Sequence, residues 1–182
     1  MKKVLVISSS PRRQGNSELL CDQFIKGAVE AHHEVEKVNL NDYQIAPCQA
    51  CEYCRHHDNI CHIKDDANLI IDKMIKADVI ALASPVYFYS VSAQLKLLID
   101  RTFAREYEIR ESQKQKLAYF IITSGSPDQS QMFATIETMR GFIKVMRTIK
   151  EAGIVYGLGV MKRKEIINHE CYNEAYIMGK NI

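Results

Sequence analysis

The chain has 182 residues, 47% apolar and 25% charged, the balance of one soluble globular domain that buries its own core without disulfide staples. Its 24 Lys and Arg against 22 Asp and Glu leave a formal charge of +2, which excludes the strongly basic surface expected of a nucleic-acid or membrane-surface binder. No apolar run approaches the ~18 residues of a membrane span, and the run near the start, Val4–Ile7, is shorter than the ~7–15-residue core of an export signal. The expectation is a cytoplasmic protein with neither nucleic acid nor membrane among its partners.

In chain order, Val4–Ser8 reads as a buried strand and Asn16–Ala31 as a helix with Leu20, Cys21, Phe24 and Ala28 on one face. Val35–Leu40 is the second expected strand. The segment Asn41–Ile63 then runs some twenty residues without periodicity, a length that in a compact domain marks function or disorder. A helix is expected over Lys64–Ala77, with Asp65 or Asp66 as cap and Ala67, Ile70, Ile71 and Met74 as its stripe. Asp78–Ser84 follows as a strand, Ser92–Glu106 as a helix and Leu117–Ser124 as the fourth strand. The helical stretch from about Gln129 to Glu151 is expected to end at Gly153. Ile154–Val160 then forms the fifth strand and Glu165–Gly179 the closing helix. Five strands alternating with five helices predict one three-layer α/β domain over residues 1–182. Right-handed crossovers favour a flavodoxin-like parallel sheet in the order 2-1-3-4-5 with helices on both faces.

That order brings the loops after strands one, three and four to one crevice. The first, Ser8–Ser17, is rich in hydroxyls, carries Arg12 and Arg13, and opens onto a helix N-terminus, where free N–H groups and the helix dipole favour an anion. Ser10, Asn16 and Ser17 are candidate side-chain donors to a phosphate and Arg12 a charge-assisted one, with helix capping by Asn16 or Ser17 as the competing role. Neither a Walker loop nor a G-x-G-x-x-G fingerprint is present. Pro85, Tyr87, Phe88 and Tyr89 suit stacking on a planar ligand, or packing against a helix or a second subunit. In the third loop, Gly125 is expected to permit close backbone approach.

SSSPRRQGNS after the first strand, SPVYFYSVSAQLKLLIDR after the third and PCQACEYCRHHDNICHIKDD between them resemble the flavodoxin-like NAD(P)H-dependent FMN reductases, most of all the branch that includes the iron–sulfur flavoproteins. The resemblance implies bound FMN, with its phosphate on Ser10, Arg12, Asn16 and Ser17. It implies that Pro85, Val86, Tyr87 and Phe88, together with Thr123, Ser124, Gly125 and Ser126, surround the flavin ring. It further implies NAD(P)H as co-substrate, a small-molecule electron acceptor such as a flavin or quinone, and a homodimer or higher homo-oligomer. No catalytic side chain is required, because the chemistry sits at the flavin N5. Ser9 departs from the family, which usually has glycine there. A non-enzymatic nucleotide-sensing module of the same fold is the rival from another class; the receiver type is opposed by a first strand that ends in serines.

Of six cysteines, Cys48, Cys51, Cys54 and Cys61 fall within fourteen residues in the pattern C-x2-C-x2-C-x6-C. The first three are expected on one side of a helical turn. Four thiolates suffice for a [4Fe–4S] cluster, and the spacing resembles the compact motif of iron–sulfur flavoproteins. Zinc, with His56, His57 and His62 as spare ligands, and four free thiols are the competing readings. Cys21 and Cys171 lie on apolar faces and read as core. Lys96, Asp100 and Arg101 read as a solvated or interface ion-pair group.

Overall fold

The computed structural model describes residues 1–111 and 114–182. Five parallel strands stand in the order β2-β1-β3-β4-β5. They are β1 (Lys3–Ser8), β2 (Glu34–Asn39), β3 (Val79–Pro85), β4 (Lys116–Thr123) and β5 (Ile149–Gly157). The central strand β3 is buried along its whole length, as a parallel strand with both faces covered must be. Alternation along β1 divides the core. Val4 and Val6 join Leu20, Cys21, Phe24 and Ala175 on one face, while Leu5 and Ile7 join Ile70, Leu95 and Met139 on the other. The first face is covered by α1 (Asn16–Glu30) and α7 (Glu170–Lys180), the second by α3 (Ala67–Lys76), α4 (Ala93–Arg101) and α6 (Phe133–Met146). Among the described residues no helix is long and apolar enough to cross a membrane.

Several boundaries differ from expectation for local reasons. The helix expected to run to Glu151 stops at Met146, because Arg147 takes a positive φ of 55° that turns the chain into β5. Gly153 therefore lies inside β5, four residues past its start at Ile149, and does not end a helix. It follows the register irregularity between Ala118 and Tyr119, and a methyl there would stand 3.0 Å from the Met178 Cε. β5 closes at Gly157, leaving Val160 in the loop beyond it. The helix after β3 ends at Arg101 and continues as a 3-10 turn (Thr102–Arg105) and a short α5 (Glu106–Arg110). The closing helix likewise opens with a 3-10 turn, Glu165–Asn168, before α7. At the start of α3 it is Asp65, whose Oδ1 accepts from the Ala67 N–H at 3.1 Å, that supplies the cap, while Asp66 accepts from the Gln44 N–H at 2.7 Å. The long loop before it contains one turn of helix, α2 (Tyr53–His56).

Candidate functional site

At the carboxyl ends of β1, β3 and β4 the three loops enclose a cavity of about 330 Å³, within the range of small-molecule sites. It is lined by Ser10, Arg12, Asn16 and Ser17 from the first loop, by Pro85, Val86, Tyr87 and Phe88 from the second, and by Thr123, Ser124, Gly125 and Ser126 from the third. The structure thus brings together every residue expected there.

The first loop is held from below. Ser9, fully buried, donates its N–H to the Ala83 carbonyl at 3.0 Å and its hydroxyl to the same oxygen at 2.7 Å, and it accepts from the Ser92 hydroxyl at 2.8 Å. Ser9 takes no left-handed backbone, so serine in place of glycine adds a tie between β1, β3 and the start of α4. α1 begins after Gly15 with no side-chain cap, so its first-turn N–H groups lack a side-chain partner and the competing role of Asn16 or Ser17 as the cap is not taken up. The Asn16 side chain instead donates to the Lys162 carbonyl at 2.9 Å and accepts from the Ile166 N–H at 3.4 Å. Ser17 shares a 2.6 Å hydrogen bond with Thr123, which joins the first and third loops. Arg12 reaches across the cavity mouth to donate to the Met161 carbonyl at 3.1 Å. Arg13 turns away to pair with Asp42 and, at 3.8 Å, with Glu18. Burial pushes the Glu18 carboxyl up, but the Gln14 N–H, Lys37 and Asn39 outweigh it and hold the group below its ordinary range.

In the second loop, mutual backbone hydrogen bonds of 2.9 and 3.0 Å between Tyr87 and Ser90 close a two-residue turn. Its central residues, Phe88 and Tyr89, both have positive φ, 48° and 63°, a conformation that Gly and Asn favour and bulky aromatics resist. The turn leaves Phe88 wholly exposed at the cavity mouth. Gly125 lines the cavity, and a methyl there would stand 3.0 Å from the Met161 sulfur, so the missing side chain also admits Met161. Met161, with Val160 and Gln131, also lines the cavity. Val160 and Met161 belong to a fourth loop, which Gly157-Leu158-Gly159 signals by ending β5 at the same edge of the sheet, while Gln131 stands in the 3-10 turn Gln129–Met132 that follows the third loop.

The four clustered cysteines line a second, smaller cavity of about 130 Å³, with Cys48 and Cys51 exposed and Cys54 and Cys61 partly so. Only Cys54 lies on the helical turn. Ala50 and Glu52, on either side of Cys51, have positive φ, so the expected single-sided helical array does not form. Burial pushes the Cys54 thiol up. His57 stacks on Tyr53 with ring centres 3.7 Å apart. Among the described residues no three Cys, His, Asp or Glu side chains stand ready to hold a single metal ion. Cys21 and Cys171 are core, as expected, and burial raises their thiols to about 12 and about 11.

Arg101 departs most from expectation. Lys96 and Asp100 do form an exposed pair, but Arg101 is 2% exposed and faces the cysteine cavity. Its guanidinium bonds Asp65 at 2.5 Å, the Ala46 carbonyl at 2.9 Å and the Cys61 sulfur at 3.4 Å, while its Nε has no partner.

The larger cavity matches the group the resemblance implies, and the smaller one offers the donor types of the other. The larger one combines hydroxyls, an arginine and an uncapped helix start with aromatic and proline surface, suited to a phosphate and a planar ring. The smaller one presents four thiols beside a buried cation, the donor set of a cubane cluster and a counter-charge to its thiolates.

Comparison with known proteins agrees. The chain is 37% identical over 143 residues, 79% of its length and 72% of the relative's, to an iron–sulfur flavoprotein of Methanocaldococcus jannaschii. It is 41% identical over 100 residues, 55% of its length and 52% of the relative's, to an iron–sulfur flavoprotein of Methanosarcina thermophila. Several of the curated relatives are thus matched over only about half their length. An azoreductase from Bacillus anthracis superposes over the whole of both chains with a TM-score of 0.77 at 16% identity, a likeness of fold. A family model for NADPH-dependent FMN reductases matches residues 2–151, and the chain belongs to that family of flavin oxidoreductases, which work with FMN and NAD(P)H.

Proposed function

We propose that the larger cavity holds FMN and that electrons from NAD(P)H leave it for a small planar acceptor such as a quinone or a second flavin. One observation carries this reading: an uncapped helix start and an aromatic turn meet in a single cavity of about 330 Å³. When bound there, FMN supplies hydride acceptance at N5 and onward electron transfer.

The chain's own residues bind and orient. Ser10, Ser17 and the first N–H groups of α1 donate to the phosphate, and Arg12 offsets its charge. Asn16 contributes its backbone N–H, since its amide is committed to the loop after β5. Pro85, Val86 and Thr123–Ser126 hold the ring's edge, and the Val86 N–H donated to the Thr123 carbonyl at 2.8 Å keeps those two loops in step. Tyr87 and Phe88 lie over the ring and offer the exposed surface on which a second copy closes the pocket, making the working unit a homodimer.

The test is to purify the protein and record its visible spectrum, its NAD(P)H oxidation with a quinone, and its sedimentation. Flavin bands, turnover and twice the chain mass are expected. Arg12→Ala, which removes a charge-assisted hydrogen bond of about 1.5–3 kcal/mol, is expected to weaken FMN binding roughly 10- to 100-fold. A colourless protein that takes up no added FMN overturns the reading.

A second reading is favoured by the convergence of Cys48, Cys51, Cys54 and Cys61 on one cavity. These four thiolates would hold a [4Fe–4S] cluster, whose chemistry is the relay of single electrons. The two cavities are joined through α4, which leaves the aromatic loop at Ser92 and ends at Arg101 beside Cys61.

A further inference from the structure

We infer that Arg101 is the positioning residue of the four-cysteine site: it locks both ends of the cysteine loop in place and sets a buried positive charge against Cys61. The inference rests on the cluster reading and concerns what this chain brings to such a cluster.

The geometry is that of a staple. From the end of α4, one guanidinium donates to the Ala46 carbonyl, two residues before Cys48, and to Cys61 and the Ile63 carbonyl, at 3.4 and 3.5 Å, on the far side of the loop. Asp65, 9% exposed, completes the arrangement by accepting from Arg101, from the Ala46 N–H at 2.8 Å and from the Ala67 N–H at 3.1 Å. The two ends of the cysteine loop and the start of α3 are therefore referred to one planar group. The loop needs such an anchor, because Ala50, Glu52, Asp58 and Asn59 all have positive φ and hold conformations that local preference does not supply. The fork suits the task where lysine does not, since its several N–H groups diverge in fixed directions toward separate acceptors.

The charge has a separate role. A buried ion pair is expensive to desolvate and is weak evidence of stability, so a buried arginine facing four thiols calls for another reason. Its Nε is buried without a partner, which leaves one donor direction unspent in the residue that lines the cavity. Asp65 balances the cation while the thiols are neutral. Thiolate ligands holding a cluster add negative charge, and each electron taken up adds one more, so the guanidinium stabilises the reduced state and raises the midpoint potential.

The experiment uses the full chain, reconstituted anaerobically with iron and sulfide and loaded with FMN. It reads iron and acid-labile sulfide per chain, the rate of iron loss to a chelator, and the cluster midpoint by a redox titration followed by electron paramagnetic resonance. Arg101→Met combined with Asp65→Asn removes the pair without stranding a buried carboxylate. It is expected to lose iron about 10- to 100-fold faster than the parent and, because the lost guanidinium touches Cys61 and lines the cavity while Asp65 does not, to shift the midpoint to lower potential. Arg101→Lys keeps the charge and loses the fork, so its midpoint stays near the parent's while its iron loss remains faster. Flavin absorbance per chain reports the fold in every sample, and Arg101→Lys carries the test alone if the double variant does not fold. Parent-like iron loss in either variant, or a parent-like midpoint in the double variant, overturns the inference. A flavin-loaded parent that takes up no iron overturns it together with the cluster reading, while leaving the FMN reading standing.

Discussion

Asp65 supports a pH dependence that can be assigned to one side chain. Burial alone would push its carboxyl up, but hydrogen bonds from Arg101, Ala46 and Ala67 outweigh burial and hold it below the usual carboxylate range. Because the folded value lies below the unfolded one of about 3.9, the carboxylate contributes its full stability above about pH 4 and loses it as pH falls through the folded value. Asp65→Asn is expected to be less stable than the parent at pH 7 by urea denaturation, with the gap narrowing steadily below about pH 4. Glu18, Glu108 and Glu151 are depressed too and bend the acid limb of both proteins, so the difference between the two curves isolates Asp65. A gap that stays constant down to pH 2.5 would remove the carboxylate from this role.

The packing of whole elements turns on two glycines where α1 crosses α7. A methyl at Gly27 would stand 2.1 Å from the Tyr176 carbonyl oxygen, and one at Gly179 would stand 2.0 Å from that of Phe24. Both obstacles are backbone, which cannot swing aside, so Gly179→Ala must part the helices at a cost of about 1–3 kcal/mol. Gly141 in α6 is the contrast, since a methyl there meets nothing within 4 Å. Gly141→Ala is expected to raise stability by up to about 1 kcal/mol through helix propensity alone. Urea midpoints moving in the same direction for the two variants would contradict this account. The same contrast explains which elements could be read from the sequence. Leu20, Cys21, Phe24 and Ala28 recur at helical spacing, and Ala67, Ile70, Ile71 and Met74 do likewise, so α1 and α3 are plain from periodicity. The end of α6 is not, because Arg147 adopts a backbone its residue type does not advertise, and Gly153 has the look of a helix stop while serving as packing space inside β5. The turn at Phe88 and Tyr89 escapes for a related reason: its conformation is imposed by Ser90 and Tyr87 against the preference of both residues.

Across the whole molecule, the crevice was legible because parallel topology alone dictates which loops meet, and Ser10, Arg12, Ser17 and Thr123 follow from that. Arg101 was not, since Ala46, Cys61 and Asp65 come to it only through tertiary folding, 55, 40 and 36 residues away along the chain. Asn16 was half legible: its place was right, but its amide serves Lys162 and Ile166. The crevice also couples folding to its ligand. The residues that line it belong to four strand-end loops, so a molecule bound there is held only by the folded state. At a hundredfold excess over its Kd, FMN is expected to add about 2.7 kcal/mol, which for a domain of this size raises Tm by roughly 5–10 °C. Gly15 provides the discriminating variant. Its φ is ordinary, −75°, but a methyl would stand 2.9 Å from the Arg12 carbonyl and 3.3 Å from the Ser10 hydroxyl, inside the predicted phosphate turn. Gly15→Ala is therefore expected to lower the Tm of the flavin-free protein, because the Arg12 backbone must shift to admit the methyl, and in addition to lose more than half of the FMN-induced rise at the same concentration. Equal rises in parent and variant would place the flavin phosphate elsewhere.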